Sequence, residues 1–144
     1  MEISTEENEK LVSEVYERSM QLLHGGRTLS DVENLVFQVE LLSQEVNSGA
    51  SFEQYFRWVG KTEVDQILEL LNQLELSEVS GIVEKAIKIA FPDGVPDTED
   101  EYDNCTEWSE SQEEKLESLF EEFEQYNGVI TNRLGAYISA RNPA

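Results

Sequence analysis

SDVENLVFQVELLSQEV, residues 30–46, decides the fold class. Val32, Leu35, Val36, Val39, Leu42 and Val46 recur at spacings of three and four, which puts them on one side of a helix with 3.6 residues per turn. Ser30 stands ahead of the run with Glu33 three residues on, the pattern of a capping box. The spacing therefore predicts an amphipathic helix over 30–46, followed by a loop at Asn47-Ser48-Gly49-Ala50.

The same reading extends outward in both directions. Upstream, Leu11, Val12, Val15, Tyr16, Met20 and Leu23 predict a helix from about Thr5 to His24, ended by Gly25-Gly26. Downstream, Ser51 can cap a short aromatic helix, Phe52 to Val59, whose Phe52, Tyr55, Phe56 and Trp58 read as core. Thr62 opens a helix with Val64, Ile67, Leu68, Leu71 and Leu74 inward. Ser77 opens another with Val79, Ile82, Val83, Ala86, Ile87 and Phe91 inward, and Pro92 ends it because proline cannot continue the hydrogen-bond ladder. An acidic loop at 92–109 follows. Ser109 or Ser111 starts a helix reaching about Tyr126, Asn127-Gly128 is a break or kink, and a last helix runs from about Val129 to Arg141. Strand-like alternation never persists beyond a few residues. The expectation is an all-α, compact single domain spanning 1–144, of about six to seven helices with one long acidic loop.

Charge then separates the functions this chain can serve. It carries 31 acids against 10 Lys and Arg, a net charge of −21. Between Asp93 and Glu124 there are 14 acids and one base, Lys115, so 32 residues hold −13 of the −21. The last 18 residues, from Asn127, contain no acid. Such a block repels nucleic acid and anionic membrane and attracts basic proteins, including those that hold DNA. One cysteine, Cys105, precludes an internal disulfide and suits a reducing compartment. The acidic start MEISTEENEK is not a leader, and no apolar run approaches 18 residues, so the expected location is cytoplasmic.

Catalytic chemistry is hard to write with these residues. His24, the only histidine, sits at a helix end, where a C-terminal capping role suits it. Cys105 lies among acids, which disfavours a thiolate. With Asp97 as position 1, an EF-hand loop would need Gly where Tyr102 stands and Glu where Trp108 stands. The expectation is no enzyme, no cofactor and no metal site.

The helix near 110–126 repays closer reading. Leu116, Leu119, Phe120 and Phe123 share one arc, while Glu110, Glu113, Glu114, Glu117, Glu121 and Glu124 share a second, mostly opposite. Lys115 lies outside the acidic arc and has no acid three or four residues away. Like charges at these spacings together cost on the order of 1–2 kcal/mol on an isolated helix before screening by salt. Carboxylates one turn apart are roughly 5–6 Å apart, close in spacing and sign to the phosphates of one DNA strand. The plainer reading of the same stripe is a solvated face that keeps the chain soluble.

One motif carries a resemblance. In EVNSGASFEQYF, residues 45–56, Glu45, Val46, Asn47, Gly49, Phe52, Gln54, Tyr55 and Phe56 occupy the places of a signature with Glu, an apolar residue, Asn, a Gly pair, then Phe, any residue, Gln, Tyr, Phe. It resembles the DNA mimic protein 19 family, a bacterial all-helical family, over about residues 28–140. The Leu71 to Phe91-Pro92 helix end and the acidic-then-Tyr-Ile segment from Leu116 to Ile138 continue the likeness. There are departures. The Gly pair is Gly49-Ala50 with Ser51 inserted, and Arg57-Trp58-Val59-Gly60-Lys61 replaces an Asn-Ser-Ser-Gly-Asp run.

The resemblance implies an all-helical fold and, for the family's named member, a DNA-like surface that binds a transcription factor in place of DNA. The leading expectation is an acidic interaction protein that sequesters a DNA-binding protein such as a transcriptional regulator. Asp97, Glu99, Asp100, Glu101, Asp103, Glu110, Glu114, Glu117, Glu121 and Glu124 would carry it, with Tyr102 and Trp108 as apolar anchors. Other readings stay open. They are an immunity or antitoxin-type inhibitor of a nuclease, a ligand binder centred on Glu45, Asn47, Gln54 and Tyr55, and a helical domain whose acidity serves only solubility. In the motif, Glu45, Asn47, Gly49, Phe52, Gln54, Tyr55 and Phe56 are read first as structural residues between two helices. The partner is a basic DNA-binding protein or nuclease, with no direct nucleic acid and no membrane; a homodimer is left open.

Overall fold

A computed structural model describes residues 5–141. Among them lie eight helices and no strand: α1 Thr5–His24, α2 Asp31–Gly49, α3 Glu53–Trp58, α4 Lys61–Gln73, α5 Ser77–Ala90, α6 Glu99–Asp103, α7 Glu110–Glu124 and α8 Asn127–Arg141. The protein is all-α. The chain forms two compact units, one from residues up to Leu41 together with those from Asn127 onward, the other from Leu42 to Tyr126.

In the first unit α1 packs on α8. Val12 and Val15 of α1, Leu35, Val36 and Val39 of α2, and Ile130, Leu134 and Ile138 of α8 are buried. The Tyr16 and Phe37 rings stack with centroids 5.1 Å apart. Gly135 lets the two helices approach: a Cβ there would stand 1.9 Å from Oδ1 of the buried Asn8, whose Nδ2 donates to Asn132 Oδ1 at 3.0 Å. The capping box at the head of α2 forms as its sequence predicts. Ser30 N–H donates to Glu33 Oε1 at 2.9 Å, and Glu33 N–H donates to Ser30 Oγ at 3.2 Å.

In the second unit α4 packs on α5 and α5 on α7. Val64, Ile67, Leu70 and Leu71 of α4, Val79, Ile82, Val83 and Ala86 of α5, and Leu116, Leu119 and Phe123 of α7 are buried. An aromatic cluster joins them. Phe52 meets Phe123 edge-on at 5.5 Å, Phe56 meets Phe91 edge-on at 5.5 Å, and Phe91 lies 5.1 Å from Tyr102.

Several expectations are corrected. Asn47 to Gly49 are helical, because the Asn47 amide donates back one turn to Ser43 O at 2.7 Å and the helix stops only where Ala50 turns left-handed, φ +52°. Ala50 N–H then reaches Asn47 O and Ser51 N–H reaches Val46 O, the paired bonds of a Schellman ending. The ends of α1 at Gly26 (φ +77°) and of α4 at Glu75 (φ +58°) close in the same way. The loop at 92–109 contains α6, five residues capped by Thr98, whose hydroxyl accepts from Glu101 N–H. α4 starts at Lys61, with Gly60 N–H donating to Glu63 Oε2 at 3.0 Å. Asn127-Gly128 is the first turn of α8, and the break falls at Gln125-Tyr126. Trp58 is 74% exposed rather than core, since α3 is a six-residue helix that turns Tyr55 and Phe56 inward. Tyr102 is fully buried and cannot be a surface anchor.

Candidate partner-binding acidic surface

The motif at 45–56 builds the floor of this surface. Gln54 Nε2 donates to Glu45 Oε2 at 2.7 Å, linking α3 to the last turns of α2. Gly49 is required there, because a Cβ would stand 2.8 Å from Gln54 Cβ. Ser51 Oγ accepts from Glu53 N–H at 3.3 Å and so satisfies a donor at the head of α3. Phe52, Tyr55 and Phe56 are fully buried. Glu45, Asn47 and Gln54 are thus bonded to neighbouring groups of the chain rather than turned toward a ligand. Tyr55 Oη is buried without a partner. Burial, with Tyr102 and Glu63 nearby, pushes its pKa far above the phenol range, so it stays neutral.

Two side chains tie the short acidic helix α6 to this floor. Tyr102 Oη donates to Phe56 O at 2.8 Å. The Glu99 carboxylate accepts from Lys61 N–H at 3.2 Å and Thr62 N–H at 3.4 Å, two of the donors left open at the head of α4. Gly60 makes room for it, since a Cβ there would meet Glu99 Oε2 at 2.5 Å. Past α6, Trp108 Nε1 donates to Ala90 O at 3.0 Å, and Gln112 Nε2 donates to Ile89 O at 2.8 Å. Ser109 and Gln112 form a capping box that starts α7. The acidic segment is therefore fastened at both ends of α6 and at the head of α7.

On this frame Asp97, Glu99, Asp100, Glu101, Asp103, Glu110, Glu114, Glu117, Glu121 and Glu124 are all exposed. So are Asp93, Glu107, Glu113 and Glu122. The ion pairs among the described residues include Arg18–Glu33 (3.5 Å), Arg57–Glu53 (3.6 Å), Lys61–Asp65 and Lys88–Glu84 (3.0 Å). None uses an acid of the 93–124 block. Lys115, the one base of the block, is in none of them, and Lys61 at the head of α4 is held by Asp65, whose hydrogen bond raises its pKa, with Asp97 and Glu99 adding to the effect. The last turn of α7 carries Glu121, Glu122 and Glu124 with no base, the wrong sign for the negative end of a helix dipole. Nothing in the helix itself rewards that placement. Among the described residues no three His, Cys, Asp or Glu side chains form a metal-holding group, and no helix is long and apolar enough to cross a membrane.

A family model described as DMP19-like protein matches residues 27–141. The chain belongs to this family. The DMP19-like match covers the motif at 45–56 and the whole acidic block. DMP19-like proteins are not a known enzyme family, and the name indicates proteins of a DNA-mimic kind. No curated protein and no solved structure matches the chain.

Of the features above, sequence reading missed α6 and its two tethers. The available signal was Thr98 followed three residues later by Glu101, a helix-start pattern hidden inside a run of acids.

Proposed function

We propose that the protein is a DNA mimic that binds and sequesters a basic DNA-binding protein such as a transcriptional regulator, working in the cytoplasm. The observation that carries this reading is the row of exposed carboxylates on α6 and α7, none of them in an ion pair among the described residues, with Lys115 the one base of the segment. A solubility role needs only net charge and is served by mixed signs spread over the surface. Here 14 of the 31 acids stand with a single base on residues 93–124, and that segment is fastened by Tyr102, Glu99, Trp108 and Gln112. A fixed row of anions offers Lys and Arg side chains what a phosphate strand offers, and its binding should weaken steeply as salt rises.

Proteins captured on the immobilised chain at low salt and released at high salt identify the partner, and competition with the partner's own operator DNA tests the mechanism. Saturating amounts of the chain should displace the DNA. Glu114→Lys, Glu117→Lys and Glu121→Lys together should abolish the displacement. A partner that keeps full operator affinity while bound to the chain would show that mimicry is wrong.

A further inference from the structure

The acidic surface has an aromatic group at its edge that no packing explains. Trp58 ends α3 and is 74% exposed, more than any other large hydrophobic among the described residues. Its backbone is not loose. Phe56 and Val59 on either side are buried, and Val59 N–H donates to Tyr55 O at 3.0 Å. Both tethers of α6 land close by in sequence: Tyr102 Oη on Phe56 O before it, and Glu99 on Lys61 and Thr62 N–H after it. Trp58 thus lies in the chain between two points at which α6 is fastened, and Glu99, Asp100, Glu101 and Asp103 of that helix are exposed.

The chain itself shows which cation such a ring accepts. The Arg57 guanidinium lies 5.1 Å from the ring centre of Trp108, and Arg141 lies 3.7 Å from that of Tyr137. Both are arginine stacks. Arg57 is also paired with Glu53, and Lys61 with Asp65. The nearby cations are thus engaged elsewhere, and the Trp58 face is open. Guanidinium groups stack on indole and fork onto carboxylates, whereas an ammonium is a compact, strongly hydrated point charge. DNA-binding surfaces present arginine for phosphates and base edges.

We propose that Trp58 and the adjoining acids of α6 form an arginine-receiving site, in which a guanidinium of a basic partner protein stacks on the indole while forking to a carboxylate. This deepens the proposed function and rests on it. The site makes the acidic surface selective for arginine over lysine, which charge alone does not do.

Deca-arginine and deca-lysine peptides of equal charge test this, titrated into the full-length chain at low salt. Trp58→Leu keeps apolar bulk and removes the ring face. It should weaken deca-arginine about fivefold, the worth of one cation–ring contact, and deca-lysine less than about twofold. Trp58→Phe should retain most of the arginine affinity and guards against a folding artefact. Bound deca-arginine should also shield the exposed indole from acrylamide quenching. Equal losses for both peptides, or wild-type arginine affinity in Trp58→Leu, overturn the arginine site. If Glu114→Lys/Glu117→Lys/Glu121→Lys loses both peptides while Trp58→Leu binds as wild type, the acidic surface stands and the arginine site alone fails. If the wild-type chain binds neither peptide, the acidic-surface reading itself falls and the arginine site with it.

Discussion

Replacing Gly135 by alanine should destabilise the protein, although alanine is the better helix former. A Cβ at 135 would lie 1.9 Å from Asn8 Oδ1, 2.4 Å from Cγ and 2.7 Å from Cβ. Swinging the Asn8 amide aside clears the first two contacts but not the third, so α1 and α8 must also move apart. The swing breaks the 3.0 Å bond to Asn132 and leaves polar groups buried. Overpacking of this kind costs about 1–3 kcal/mol, and the lost hydrogen bond about 1 kcal/mol. Alanine returns about 1 kcal/mol of helix propensity. The net expectation is a loss of about 2 kcal/mol, read as a lower urea midpoint at unchanged slope. Asn8→Gly alone should lose about 1.3 kcal/mol, about 1 from the hydrogen bond and about 0.3 from helix propensity, since asparagine is already a poor helix former. The double variant should not lose the additive total of about 3.3 kcal/mol. With all three clashing atoms gone and alanine favouring the helix, it should lose only about 0.3 kcal/mol, a coupling of about 3 kcal/mol. An additive double variant, or a Gly135→Ala protein as stable as wild type, would falsify the claim that this glycine sets the approach of α1 and α8.

Further outcomes follow from the same geometry. Ala50→Gly and Glu75→Gly place glycine at left-handed helix ends and should each stabilise by about 0.5–1 kcal/mol in urea unfolding, the relief of the Cβ strain outweighing the added freedom of the unfolded chain. The two buried tyrosines should respond oppositely to loss of the hydroxyl. Tyr102→Phe strands the Phe56 carbonyl and should cost about 1 kcal/mol, whereas Tyr55→Phe removes an unpartnered hydroxyl and should be neutral or stabilising. Burial raises the pKa of both phenols, so their contribution to stability is intact below about pH 10 and is lost as the pH rises further. Alkaline unfolding followed by circular dichroism should therefore shift upward in Tyr55→Phe. Glu33 behaves in the opposite sense. The Ser30 N–H bond, helped by Arg18, lowers its pKa, so its contribution is present above about pH 4.3 and disappears as the pH falls. Glu33→Gln should flatten the stability profile in that acid range.

The parts legible in the sequence were those written in local periodicity. The apolar stripe of 30–46 and its Ser30/Glu33 box appear as read, and so does the division of α7 into a buried Leu116, Leu119, Phe123 face and an exposed acidic one. Short elements defeated the same method. Six residues of α3 give too few turns for a stripe, so nothing separated Tyr55, which is buried, from Trp58, which is not. Composition misled at Asn47-Ser48-Gly49, because an amide that bonds back to Ser43 and a left-handed Ala50 keep the helix going one turn longer. Tyr102 looked like a surface ring because its neighbours are acids, yet its burial comes from Phe56 and Phe91, far away in the chain. The Asn8–Gly135 contact joins residues at opposite ends of the sequence and has no local signature at all.

The division of labour on α7 bears on how such a protein can change over generations. Its fold depends on Leu116, Leu119 and Phe123, and its charge is written on exposed positions. Glutamate and lysine codons differ by a single base, so one substitution at any of those positions moves the surface by two charge units while the core stays as it was. If the proposed function holds, recognition on this helix can drift quickly, one exposed carboxylate at a time, and a partner that alters its basic face can be followed by small compensating steps. A catalytic centre has no such freedom, because its residues are bound to one another.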